Sequence, residues 1–163
     1  MNTHSKILIS ACLVGINCRY NAQSKTSPEL LALLKDGSAI FMCPEQLGGL
    51  PTPREAAEIE FGKSASDVIN GTGKVLTKTG IDITAQFLMD AHATLKLCKE
   101  LNINVAFLKA MSPSCGSTLI YDGTFSGNKT SGNGITAELL IQNGIEVYDE
   151  NTFPSYLEKL KSN

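Results

Sequence analysis

The chain has 163 residues, 42% of them hydrophobic and 18% charged. That composition describes one globular domain, able to bury roughly 70% of its unfolded surface without disulfides or a structural metal. The 14 basic and 16 acidic residues leave a net charge of −2 and form no long runs of like charge, which argues against DNA or RNA as a partner and against a polybasic membrane patch.

The first predicted element is a strand over 6–11, an apolar β-branched run that stops at Cys12 and gives way to a turn-rich stretch over 14–24. The polar start of the chain carries no cleavage pattern, so no signal peptide is expected, and no apolar stretch nears the ~20 residues that span a bilayer. Ser27 as N-cap, Pro28 in the first turn and Gly37 past the end predict a helix over 28–35. A second strand over 38–42 ends at Cys43, and 44–55, with its prolines and glycines, reads as a long irregular loop. Residues 68–77 read as a β-hairpin around Asn70-Gly-Thr-Gly73. The longest helix is expected over 82–100, with Asp82 as N-cap and Leu88, Ala91, Leu95 and Cys98 on one face. A third buried strand over 104–110 leads into Met111-Ser-Pro-Ser-Cys-Gly116. Strand and turn character follows over 117–126, then a polar loop over 128–131 and a helix over 134–142 stopped by Gly144. A fourth strand over 145–148 and a short helix over 155–161 complete the chain. Apolar strands separated by helices predict an α/β fold: a single-domain, Rossmann-like parallel sheet over 1–163 with helices on both faces.

Three of the five cysteines, Cys12, Cys43 and Cys115, follow predicted buried strands within a few residues. The strand ends of an open parallel sheet share one edge, and ligands bind there. Cys18 stands close enough in the chain to join them, whereas Cys98 belongs to the apolar face of the long helix and reads as a small hydrophobe. An odd count in a chain read as cytoplasmic predicts free thiols. Each could be separately buried, since cysteine is among the most buried residue types; three or four at strand ends favour a thiolate cluster. There is no Cys-x-x-Cys pair, and neither His4 nor His92 stands at ligand spacing, so zinc is poorly supported. Thiolates without histidine suit an iron–sulfur cluster. Gly132-Asn-Gly-Ile-Thr-Ala137, with Glu150 downstream, fits a dinucleotide-binding pattern, but the glycines follow a polar loop rather than a buried strand; the segment reads as a permissive turn whose N–H groups are available to a pocket.

Five motifs stand in order along the chain: Ser10-Ala-Cys-Leu-Val-Gly-Ile-Asn-Cys-Arg-Tyr20, Cys43-Pro-Glu-Gln-Leu-Gly-Gly-Leu-Pro-Thr-Pro-Arg54, Gly80-Ile-Asp-Ile-Thr84, Ser112-Pro-Ser-Cys-Gly116 and Tyr121-Asp-Gly-Thr-Phe-Ser-Gly127. Together they resemble the motif set of the 2-thiouracil desulfurase family. Asn21-Ala22 departs from it, standing where Asp-Gly is expected. The resemblance implies a [4Fe-4S] cluster held by three cysteines, carried here onto Cys12, Cys43 and Cys115, with one iron open and the role of Cys18 undecided. It implies non-redox, hydrolytic removal of sulfur from thiouracil or a related thiolated pyrimidine, giving uracil and hydrogen sulfide. The partners implied are that small molecule and the iron–sulfur assembly machinery.

Glu45, two residues from Cys43, becomes the candidate general base, and Ser112, three residues before Cys115, a proton donor or relay. Their plain alternatives are a helix-start carboxylate and a turn hydroxyl, and Ser114 competes with Ser112. Arg19, Arg54 and Lys109 are further candidates; Arg19 and Arg54, ordinarily solvated surface charges, stand in loops from which they could bind a uracil carbonyl or balance cluster charge. Two rival functions share parts of this reading. A cluster-binding sulfur carrier or redox sensor would not need Glu45 or Ser112, and a nucleotide-binding module on residues 132–137 would need no iron.

Overall fold

The computed structural model describes residues 6–161, which leaves His4 outside the described residues. Four strands, β1 (Ile7–Ser10), β2 (Ala39–Met42), β5 (Val105–Leu108) and β8 (Glu146–Asp149), form one sheet in the order β2-β1-β5-β8. All three pairings are parallel, with Ile7 opposite both Ala39 and Val105, and Val105 opposite Glu146. Side chains alternate across it. Leu8, Ala106 and Leu108 pack with Phe87 and Ala91 of α4 (Thr84–Glu100) and with Leu139 and Leu140 of α5 (Ile135–Gln142). On the other face Ile7, Ile9, Val105 and Phe107 pack with Leu30 of α1 (Pro28–Lys35) and Phe153 of α6 (Phe153–Lys161). The expected α/β sheet with helices on both faces is therefore present. Among the described residues no helix is long and apolar enough to cross a membrane.

Helix α1 keeps its expected bounds because Ser27 Oγ accepts the Leu30 N–H at 3.4 Å and Pro28 opens the first turn; such a cap is worth about 1 kcal/mol. Helix α4 begins later than expected. Ile83 occupies the cap position, and Asp82 Oδ1 holds the first turn from outside by accepting from Thr84 N and Oγ1 at 3.0 and 2.6 Å.

Three expectations fail locally. The hairpin expected over 68–77 is instead helix α3 (Ala65–Ile69) followed by strand β4 (Val75–Thr77), which pairs antiparallel with β3 (Ala57–Ile59). The cause is a reciprocal cap: Asp67 N donates to Ser64 Oγ and Ser64 N to Asp67 Oδ2, satisfying two helix-start donors at once. The loop expected over 44–55 opens with one helical turn, α2 (Pro44–Leu47), with Cys43 at its cap position and proline where no N–H is needed. The polar loop expected over 128–131 contains β7 (Lys129–Ser131), paired antiparallel with β6 (Leu119–Tyr121). Its three residues are all exposed, so no apolar alternation marks it.

Candidate active site

The sheet order reverses at β1: the chain crosses from β1 to β2 on one side, then returns to place β5 on the other. Outside the carboxyl ends of these strands lies a cavity of about 420 Å3, lined by Cys12, Cys18, Cys43 and Cys115. Its volume falls within the range of small-molecule sites.

Each thiol reaches the cavity by a different local device. Cys12 sits in a 3-10 turn (Ala11–Val14) directly after β1. Cys18 follows in a loop whose Asn21-Ala22 turn survives the departure from the family motif, with Ala22 at φ 56 in the left-handed region and its N–H bonded to the Arg19 carbonyl at 2.8 Å. Alanine takes that conformation at a cost of roughly 1 kcal/mol, which explains why glycine is the expected residue. Cys43 caps α2, and its Sγ lies 3.8 Å from the Cys18 carbonyl. Cys115 hangs on a turn built around Ser112, whose Oγ accepts the N–H groups of Ser114 and Cys115 at 3.1 and 3.0 Å.

All four line one cavity as free thiols. The Cys18 thiol is pushed up to about 11, first by its hydrogen bond with Cys12. Cys43 is pushed up by its bond to Cys18 and then by burial, and Cys115 chiefly by burial. These groups hold their protons until a metal displaces them, so loading releases protons. Among the described residues no three His, Cys, Asp or Glu side chains are close enough to hold one metal ion. A four-iron cube is larger than one ion, its thiolates stand farther apart, and sulfur alone is the donor it takes. The four cysteines of the cavity meet that requirement in donor chemistry, with no histidine on the cavity wall.

Glu45 lies in the first turn of α2 and Arg54 holds it. Arg54 Nε donates to Glu45 Oε2 at 2.7 Å, and a terminal guanidinium nitrogen donates to the same oxygen. The other terminal nitrogen donates to the carbonyls of Cys18 and Pro51 at 3.1 and 3.2 Å. Arg54 is thus committed to bracing two cysteine loops, and its side chain is only 8% exposed. Ser112 Oγ donates to Glu45 Oε1 at 3.3 Å, joining the loop after β5 to the helix after β2. The Ser114 hydroxyl is engaged elsewhere: it is fully buried and bonded to Thr136 Oγ1 at 2.9 Å.

The remaining candidates divide. Arg19 and Lys109 line the cavity, but Lys109 Nζ is tied to Glu150 and to the Ala110 carbonyl. The glycine segment expected to offer free N–H groups to a pocket does not line the cavity, and the amides of Gly134, Ile135 and Ala137 donate to the carbonyls of Gly116, Pro113 and Ser114. Glu150, its would-be ribose partner, holds Lys109 and the Ala110 amide instead. His92 is exposed, and Cys98 is core, with burial raising its thiol to about 11.

Sequence reasoning missed Asp90 and Glu58, and assigned no role to the aromatic residues of the cavity wall. Asp90 is 0% exposed on α4, between the apolar Phe87 and Ala91; a lone carboxylate on that face is the signal that could have found it. Burial raises it to about 8. Tyr20, Tyr121 and Phe125 line the cavity beside Glu58, Tyr20 from the loop after Cys18 and the other two from the β6–β7 hairpin; they stand in two of the five motifs, where nothing in the sequence gives them a role.

Comparison with known proteins agrees with this geometry. A family described as 2-thiouracil desulfurase matches residues 7–152. The Bacillus subtilis (strain 168) protein YbbK, itself uncharacterised, is 49% identical over 145 residues, covering 89% of this chain and 95% of its own. A solved structure, the [4Fe-4S]-dependent thiouracil desulfidase TudS, is similar with a TM-score of 0.85 and 42% identity, over 98% of this chain and 99% of that one.

Proposed function

Because the chain belongs to the 2-thiouracil desulfurase family, we propose that it is a [4Fe-4S]-dependent enzyme that converts thiouracil or a related thiolated pyrimidine and water to uracil and hydrogen sulfide. The observation that carries this reading is a carboxylate held by Arg54 and Ser112 in the same cavity as the three strand-end cysteines. In this reading Cys12, Cys43 and Cys115 hold the cluster and leave one iron without a protein ligand. When bound, the cluster supplies a soft Lewis acid for the thiocarbonyl sulfur, which draws charge off the C–S bond.

The chain's own groups manage the water. Arg54 occupies Glu45 Oε2, while Oε1 has only the longer Ser112 bond, so Oε1 is the oxygen that takes a proton from the attacking water. Ser112, anchored by two backbone amides, fixes the direction of that oxygen and offers a hydroxyl through which the proton returns. Both protons of the water end on the departing sulfide, the carbon exchanges sulfur for oxygen, and no electron is transferred. Cys18 stands beside the set of three cysteines, its carbonyl 3.8 Å from Cys43 Sγ. Iron–sulfur assembly machinery supplies the cluster, and free thiols fit the reducing cytoplasm.

The test is iron and acid-labile sulfide per chain after anaerobic reconstitution, followed in the same sample by sulfide release from 2-thiouracil. About four irons with stoichiometric uracil and sulfide is the expected result. Iron without release would favour a carrier or sensor, and no iron would return the cysteines to the core.

A further inference from the structure

The loop between β6 and β7 is held more tightly than a hairpin turn requires. Glu58 of β3, only 8% exposed, accepts the N–H groups of Gly123 and Phe125 on one oxygen, at 2.9 and 3.1 Å. At Gly123 any Cβ would collide with the Ile59 carbonyl and the Phe61 amide of the neighbouring segment. Phe125 adopts φ 56, a conformation that is costly for a bulky side chain and persists only where its surroundings enforce it. The loop braces itself further: Asp122 Oδ1 accepts from Thr124 N and Oγ1. A buried carboxylate, a close backbone approach and a strained aromatic therefore meet at one turn. That turn places Phe125 on the wall of the cysteine cavity, beside Tyr121 of the same hairpin.

A turn that served only to close the hairpin would take glycine at the left-handed position and water at its amides. This one takes phenylalanine at the strained position and binds it from β3, so what is conveyed to the cavity is the ring. A flat heteroaromatic base offers a π-face, and an aromatic side chain is the ordinary partner for it.

Resting on the desulfurase reading above, we propose that Phe125 is the face on which the pyrimidine ring stacks, and that Glu58 is the positioning residue that holds it there. Phe125 then contributes to affinity for any pyrimidine, with or without sulfur, while the cysteine side of the cavity selects the thiocarbonyl.

The test compares wild type with Phe125→Ala, Phe125→Tyr, Glu58→Ala and Glu58→Gln. KM and kcat are measured for sulfide release from 2-thiouracil by the reconstituted enzyme, and affinity for uracil is measured on the cluster-free chain by saturation-transfer NMR. Phe125→Ala is expected to raise KM about tenfold and weaken uracil binding similarly, with kcat changed less than KM. Phe125→Tyr restores both. Glu58→Ala reproduces the KM shift although the ring is present, and Glu58→Gln, which keeps an acceptor oxygen, retains most of the affinity. An unchanged KM in Phe125→Ala would overturn the proposal, as would a Glu58→Ala variant that loses thermal stability but keeps its KM. If loaded wild type releases no sulfide, the desulfurase reading fails by itself. The uracil measurement still reads the ring slot: lost affinity in Phe125→Ala supports it and unchanged affinity overturns it.

Discussion

Helices α4 and α5 lie on the same face of the sheet, and each buries a polar side chain completely, yet they treat it in opposite ways. At the start of α5, Thr136 and Ser114 are both 0% exposed and bonded to each other. The amides of Ile135 and Ala137 at the start of that helix donate to the Pro113 and Ser114 carbonyls in the loop after β5. In the middle of α4, Asp90 is equally buried, but neither carboxylate oxygen has a hydrogen-bond partner among the described residues. The nearby Gly48 amide tempers its charge but is already donated to Pro44. Gly48 is also where α2 comes so close to α4 that a Cβ would strike the Gln86 carbonyl and Asp90 Cγ. The satisfied seam is scaffold. The unsatisfied one lies behind Glu45 and Arg54, whose charges both act on Asp90. Uncompensated polar burial is costly, and among the described residues it falls at Asp90, next to the charges of Glu45 and Arg54.

The contrast breaks most visibly at Glu45. Glu45→Ala removes the proposed base without touching a proposed ligand, so turnover should fall by about 10²–10⁴-fold while iron content and visible absorption stay at wild-type levels. Sulfide release with parallel iron analysis measures this. A loss of iron in proportion to activity would make Glu45 a structural support of the cluster site instead.

Asp90 gives the next effect, in stability. Burial raises its folded pKa to about 8 from the ordinary aspartate value of 3.8. Between those values the folded chain keeps a proton that the unfolded chain has lost, so this group's stabilisation is fully present below about pH 4 and falls as pH rises through 8. From pH 5 to 8 the wild-type, cluster-free chain should lose ~4 kcal/mol through this group, read from urea midpoints. Asp90→Asn should flatten that slope. The window is clean, because the lowered surface carboxylates, such as Asp67 and Asp82, act at lower pH. The raised thiols act above 9. An unchanged slope in Asp90→Asn would mean that Asp90 is ionised or solvated in the native chain.

What the sequence made legible follows the same division. The four parallel strands, α1 and the convergence of three cysteines were readable because each depends on local periodicity, a cap or the rule that parallel strands end at one edge. Helix α3 carried a signal, Ser64 and Asp67 three residues apart, that was outweighed by the glycines after it. Strand β7 carried none, being exposed throughout. The choice between Ser112 and Ser114 could not be made from spacing, since it depends on Thr136, which lies 22 residues from Ser114. Glu58 is 65 residues from the Gly123 amide it binds, and nothing local to β3 marks it as more than a strand residue. Chemistry fixed by strand ends is written locally, whereas chemistry fixed by packing between hairpins is not.

The two serines sharpen the contrast at the smallest scale, because they sit two residues apart on one turn. Ser114→Ala leaves Thr136 Oγ1 buried without its partner, and such an orphan costs about 1–3 kcal/mol. A chain of this size should then melt several degrees lower, while kcat per folded molecule stays near wild type. Ser112→Ala also removes an acceptor from two amides, so it too should lower the melting temperature, but it additionally frees Glu45 Oε1 and should lower kcat. The discriminating quantity is therefore kcat per folded, iron-loaded chain, not the melting temperature, which both variants lower. If Ser114→Ala lost turnover while Ser112→Ala kept it, the hydroxyl facing Glu45 would have no part in catalysis, and the seam read here as scaffold would belong to the site.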